Sequence, residues 1–129
     1  MSQDSLLDQT KDWTWVGASE LLYVECHRVL ERVRAQREIS PDQYLESLAW
    51  LNTYLEGVTL IPVNSSIIRR AARPFPVLLK TLDALHLATL DYLAEEESPT
   101  DWGLMTTDIS LGKAASLLGY RYFGPKADL

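Results

Sequence analysis

Thr81-Leu82-Asp83-Ala84-Leu85-His86-Leu87-Ala88-Thr89, followed beyond an acidic stretch by Trp102-Gly103-Leu104-Met105-Thr106-Thr107-Asp108, decides the fold class. The first string opens a helix that continues through Leu85, Ala88 and Leu93 towards the acids. The second reads as a buried strand, apolar and bounded by turn residues. Another helix carries Leu111, Ala114, Ala115 and Leu118 and stops at Gly119, after which Tyr120-Arg121-Tyr122-Phe123 reads as a short closing strand. Helices alternating with strands predict an α/β sandwich with a mostly parallel sheet flanked by helices. Sites in such folds gather outside the carboxyl ends of strands, the position Asp108 occupies.

The same alternation extends upstream. Ser40-Pro41-Asp42-Gln43 combines an N-cap, a proline at the first helical position and a capping-box glutamine. Tyr44, Leu48, Leu51 and Leu55 then form an apolar stripe that Gly57 closes. Val58 to Val63 predicts a strand, with Pro62 near its end. Asn64 caps a short helix bearing Ile67, Ile68 and Ala71, which Pro74 and Pro76 break. Nearer the start, Trp13-Thr14-Trp15-Val16 predicts a strand, and Ser19 caps a helix with Leu22, Cys26, Val29, Leu30 and Val33 on one face.

A chain of 129 residues is sized for one globular domain, and residues 1–129 are read as one, with 1–12 a flexible or remnant helical segment. Twelve basic against 18 acidic side chains give a net charge of −6, which argues against bulk electrostatic attachment to nucleic acid or anionic membrane. The charge is unevenly spread. Gly57 to Leu82 holds Arg69, Arg70, Arg73 and Lys80 and no acid, Arg28 to Arg37 holds four arginines against Glu31, and Asp91 to Asp101 holds five acids and no base. No run approaches the roughly 20 apolar residues of a membrane span, and the first residues lack the pattern of a secretory signal. One cysteine, Cys26, excludes an internal disulfide, and with two histidines it cannot complete a zinc site. The expectation is a reduced, cytoplasmic protein.

Three acids stand on or beside apolar helical patterns or strand ends: Glu25, Asp83 and Asp108. A carboxylate packed there must be paired, protonated or bound to a cation. Gathered at one end of a sheet, the three would suit Mg²⁺ or Mn²⁺. Each also has a plainer reading. Glu25 can pair with Arg28 or Arg32, Asp83 can stabilise a helix N-terminus, and Asp108 can be an N-cap. A Ser-His-Asp triad from Ser19 with His27 or His86 lacks a nucleophile elbow, and there is no Gly-rich phosphate loop. The four tryptophans read as packing rather than a base-stacking platform.

Leu82 to Thr89, the Leu104-Met105-Thr106-Thr107-Asp108 turn, and the continuation to Gly119-Tyr120 and Gly124-Pro125 together resemble the C-terminal half of a PIN domain, particularly of the VapC-type toxin ribonucleases. Ala18-Ser19-Glu20-Leu21-Leu22-Tyr23-Val24-Glu25-Cys26-His27-Arg28 resembles the family's glutamate-bearing helix. The resemblance implies a three-layer PIN-like sandwich and an endoribonuclease that cleaves single-stranded RNA with Mg²⁺ or Mn²⁺. Glu25, Asp83 and Asp108 would be its metal-holding catalytic acids, and Arg28, Arg69, Arg70, Arg73 and Lys80 its candidate RNA contacts. It also implies a homodimer and a small antitoxin partner. The family's first, central strand with its aspartate has no counterpart here, and that role is not transferred to Asp4 or Asp8. Two further readings are therefore carried: a degenerate PIN-like module that binds RNA, dimerises or sequesters a partner without cleaving, and a structural dimer whose acids only cap and pair.

Overall fold

In the computed structural model the residues described are 15–96, 102–106 and 108–124. The expectations placed on residues 1–12, Trp13, Thr14, Glu97 to Asp101, Thr107 and Pro125 lie outside them. The described chain is mixed α/β, with five helices and short parallel strands. It falls into two compact units, residues 15–63 and residues 64–124.

The N-terminal unit runs β1 (Gly17–Ser19), α1 (Leu21–Ala35), α2 (Pro41–Glu56) and β2 (Thr59–Ile61). β1 and β2 pair in parallel, Gly17 opposite Thr59 and Ser19 opposite Ile61. The first strand lies downstream of the predicted Trp13 to Val16, on residues of low strand propensity. Pairing rather than propensity selects it. The Trp15 ring folds back over Gly17 so closely that a Cβ there would collide with it. Ser19 ends the strand instead of occupying the N-cap, which falls to Glu20 without a side-chain cap. The serine still serves the helix start, because its Oγ accepts the Leu21 N–H at 3.2 Å.

The α2 start is as the sequence predicts. Gln43 N–H donates to Ser40 Oγ at 3.1 Å, and Ser40 N–H donates to Gln43 Oε1 at 2.8 Å. Leu51 and Leu55 are buried on the expected stripe, and Val58 joins them as core. Gly57 closes the helix with ordinary right-handed φ, so its special freedom is not used. The apolar face of α1 differs from expectation. None of its residues is buried, and Val29 is 48 % exposed. This helix ends at Arg37, whose φ of 58° is left-handed. Arg37 N–H donates to the Arg34 carbonyl and Glu38 N–H to the Val33 carbonyl, satisfying the last turn.

The C-terminal unit runs α3 (Ser65–Ala71), α4 (Thr81–Glu96), β3 (Gly103–Met105), α5 (Ile109–Leu117) and β4 (Arg121–Phe123). Asn64 caps α3 by accepting the Ile67 N–H at 2.9 Å. β3 and β4 pair in parallel, Gly103 opposite Arg121 and Met105 opposite Phe123, with α5 as the crossover between them. Leu87 and Leu90 of α4 pack with Leu111, Ala114 and Ala115 of α5, and Phe75, Val77, Leu79, Trp102, Leu104 and Tyr120 close around them. Full burial of a side chain such as Leu87 or Ile67 contributes about 1.5–3 kcal/mol. Buried Thr89 keeps its hydroxyl satisfied by donating to the Leu85 carbonyl at 2.7 Å. The stop at Gly119 is a left-handed one (φ 94°), where Gly119 N–H bonds Ser116 and Tyr120 N–H bonds Ala115. Among the described residues, no helix is long and apolar enough to cross a membrane.

Candidate functional site

Two of the three predicted acids belong to the C-terminal unit. Asp83 sits in the first turn of α4, half-buried. Asp108 is the exposed N-cap of α5, just beyond β3. Its Oδ1 accepts the Leu111 N–H at 3.0 Å, and its own N–H donates to Thr106 Oγ1 at 3.0 Å. The capping role considered from sequence is therefore present. It uses one carboxylate oxygen and leaves the other available.

The helices that carry these acids, α4 and α5, pack on each other within the unit. Leu87 and Leu90 meet Leu111 to Ala115, while Asp91, further along α4, accepts a hydrogen bond from Tyr120, beyond the C-terminal end of α5. Asp83 stands at the N-terminal end of α4, and Asp108 at that of α5, just beyond the carboxyl end of β3, where α/β sites form. Two carboxylates of this kind are hard oxygen donors suited to Mg²⁺ or Mn²⁺. Tyr122 of β4 borders the site. Burial, then the Asp108 charge, raises its phenol above the usual range.

Glu25 belongs to the N-terminal unit, half-buried at the middle of α1 beside Cys26. Burial, then the Glu25 charge, pushes the Cys26 thiol up, which keeps it protonated and a poor nucleophile. On the same helix His27 hydrogen-bonds the Tyr23 carbonyl through Nδ1 at 2.6 Å and reaches Asn52 of α2 at 3.2 Å. That is a structural histidine. Within neither unit, among the described residues, do three His, Cys, Asp or Glu side chains stand together as a metal-holding group.

The candidate RNA contacts divide. Arg28, Arg69, Arg73 and Lys80 are exposed. Arg70 is committed inside its own unit: it pairs with Glu95 at 2.7 Å, its Nε donates to Ser66 Oγ at 3.3 Å, and its guanidinium lies 5.7 Å from the Tyr92 ring centre. Near it, Tyr120 donates to Asp91. Burial, then the bond to Asp91, drives the Tyr120 phenol well above its ordinary range. The sequence reading missed this network. The Arg70-to-Glu95 pairing joins separate helices, and no local spacing announces it. Comparison of the chain with protein-family models, curated proteins and solved structures finds no match.

Proposed function

We propose that the protein is a metal-dependent endoribonuclease of the PIN type, hydrolysing phosphodiesters of single-stranded RNA. The observation that carries the reading is the placement of Asp83 in the first turn of α4 and of Asp108 at the start of α5, directly after parallel strand β3, on two helices that pack on each other. Those acids are also the ones singled out by the Asp-Ala-Leu-His-Leu-Ala-Thr string and the Thr-Thr-Asp turn. In this reading the fold is a three-layer sandwich.

Asp83 and the second carboxylate oxygen of Asp108 would hold Mg²⁺ or Mn²⁺. The ion, when bound, would lower the pKa of a water for attack on phosphorus and offset charge on the phosphate. The carboxylates would fix the position of that water. Arg28 and Arg69 would draw the RNA backbone in, with binding that weakens as salt rises. A homodimer and a small inhibitory partner belong to the same proposal.

The second reading is a PIN-like module that no longer cleaves. It is favoured by the absence of a three-acid group within either unit among the described residues. Calorimetric titration with Mn²⁺ separates the two. The nuclease reading expects saturable binding that is lost in Asp83→Asn and Asp108→Asn. Binding unchanged by both substitutions would refute it.

A further inference from the structure

The segment between α3 and α4, Arg73-Pro74-Phe75-Pro76-Val77-Leu78-Leu79-Lys80, has a pattern that the acid site does not use. Its burial alternates. Phe75, Val77 and Leu79 pack against the core, while Pro74, Pro76, Leu78 and Lys80 face outward. Period-two alternation is the signature of a strand, yet no strand pairs with it. Among the described residues, no hydrogen bond engages the main chain from Pro74 to Leu79. Leu78 is 97 % exposed. Beside it lies an open cavity of about 330 Å³, lined by Ala71, Arg73, Phe75, Val77, Leu79 and Ala84 among others. Arg73 lines it, Lys80 follows its lining residue Leu79 in the chain, and Arg69 lies four residues before Arg73, in α3. Among the described residues none of these cations is in an ion pair, and no acid occurs from Gly57 to Leu82.

We propose that this groove docks an extended peptide segment of a partner protein, apolar at its centre and acidic at its flanks. Each feature of the groove answers one feature of that ligand. Apolar side chains would cover Leu78 and enter the cavity. An extended main chain would pair with the amide and carbonyl groups of Val77 to Leu79, the way a strand adds to an open edge. Carboxylates on either side would meet Arg69, Arg73 and Lys80. The lining argues against single-stranded RNA, because its one ring, Phe75, packs on the core and offers no stacking platform. It argues against lipid as well, since hydrocarbon would leave those main-chain groups unsatisfied. A contact of this size should bind weakly, on the order of micromolar. The proposal does not depend on the nuclease reading.

A synthetic peptide array tests it, using the full chain as probe. The peptides carry Leu, Val and Trp or only Ser at the centre, flanked by Glu, Ser or Lys. Array hits are then titrated by fluorescence anisotropy against the parent, Leu78→Asp, Arg73→Glu and Arg73→Lys. The expected result is selective capture of apolar-centred, Glu-flanked peptides. Leu78→Asp should weaken it at least tenfold and Arg73→Glu several-fold, while Arg73→Lys restores most of it. Leu78 is so exposed that its substitution should leave the thermal midpoint unchanged, so lost binding cannot be lost folding. The proposal is overturned by array silence, by capture indifferent to flanking charge, or by titrations that Leu78→Asp does not alter. It is also overturned if Leu78→Asp instead abolishes self-association in sedimentation, binding of oligouridylate, or binding to anionic vesicles, since each would name a different occupant.

Discussion

Tyr120, two residues past the C-terminal cap of α5, donates its hydroxyl proton to Asp91 on α4. The bond ties the segment after α5 to α4, alongside the packing of Leu87 and Leu90 on Leu111, Ala114 and Ala115. Tyr120→Phe removes the donor and leaves the Asp91 carboxylate without it, a loss of about 1–3 kcal/mol. Thermal melting should show it. A midpoint equal to the parent's would mean that the bond does not hold the helices.

The same bond makes an alkaline prediction. Folded Tyr120 holds its proton more tightly than the ordinary value of 10.0. Stability from this group is therefore complete below about pH 10 and lost as pH rises from there towards the folded pKa, because the unfolded chain releases its proton first. Urea melts across that range should fall more steeply for the parent than for Tyr120→Phe. Parallel curves would contradict the assignment.

Arg37 closes α1 in a left-handed conformation that glycine adopts without penalty. Arg37→Gly should raise stability by about 0.5–1 kcal/mol, measured by chemical denaturation. A loss would show that the arginine side chain contributes more than its backbone costs.

Gly112 of α5 lies against the Tyr122 ring, and a Cβ there would stand 2.6 Å from Tyr122 Cδ1. Gly112→Ala must displace β4 or its ring, at a cost of about 1–3 kcal/mol. Helix propensity alone predicts the opposite sign, a gain of up to about 1 kcal/mol, so the melting midpoint decides between packing and propensity.

Asp108 has two separable roles. Asparagine caps a helix as well as aspartate does, whereas alanine costs about 1 kcal/mol. Asp108→Asn should keep the parent's melting midpoint and lose Mn²⁺ binding, and Asp108→Ala should lose both. If Asp108→Asn leaves Mn²⁺ binding intact, Asp108 is a cap alone.

Local signals were the legible ones. The Ser40 capping box, the Asn64 cap, the Asp108 position after a strand and the stop at Gly119 all depend on residues within a few positions of each other, and the structure has each of them. The first strand was misplaced because Gly17 to Ser19 are chosen by their partner Thr59 to Ile61, about forty residues away, and not by their own preference. The α1 stripe was legible as a period but not as burial, which depends on what packs against it. In the candidate site, the types and spacing of Asp83 and Asp108 pointed to hard-cation chemistry. The Arg70, Glu95 and Tyr120, Asp91 pairings, on the second half of α4, cross between elements and leave no trace in spacing. The basic cluster from Arg69 to Lys80 makes Arg70 a candidate RNA contact, and the structure pairs its guanidinium with Glu95 and Tyr92 within the unit.

The most direct measurement is cleavage of a mixed single-stranded RNA in Mn²⁺ by the full chain, beside Asp83→Asn and Asp108→Asn of matched thermal stability. The nuclease account predicts cleavage by the parent, none with chelator, and loss in both variants. No cleavage by the folded parent, or equal cleavage by the variants, would contradict it.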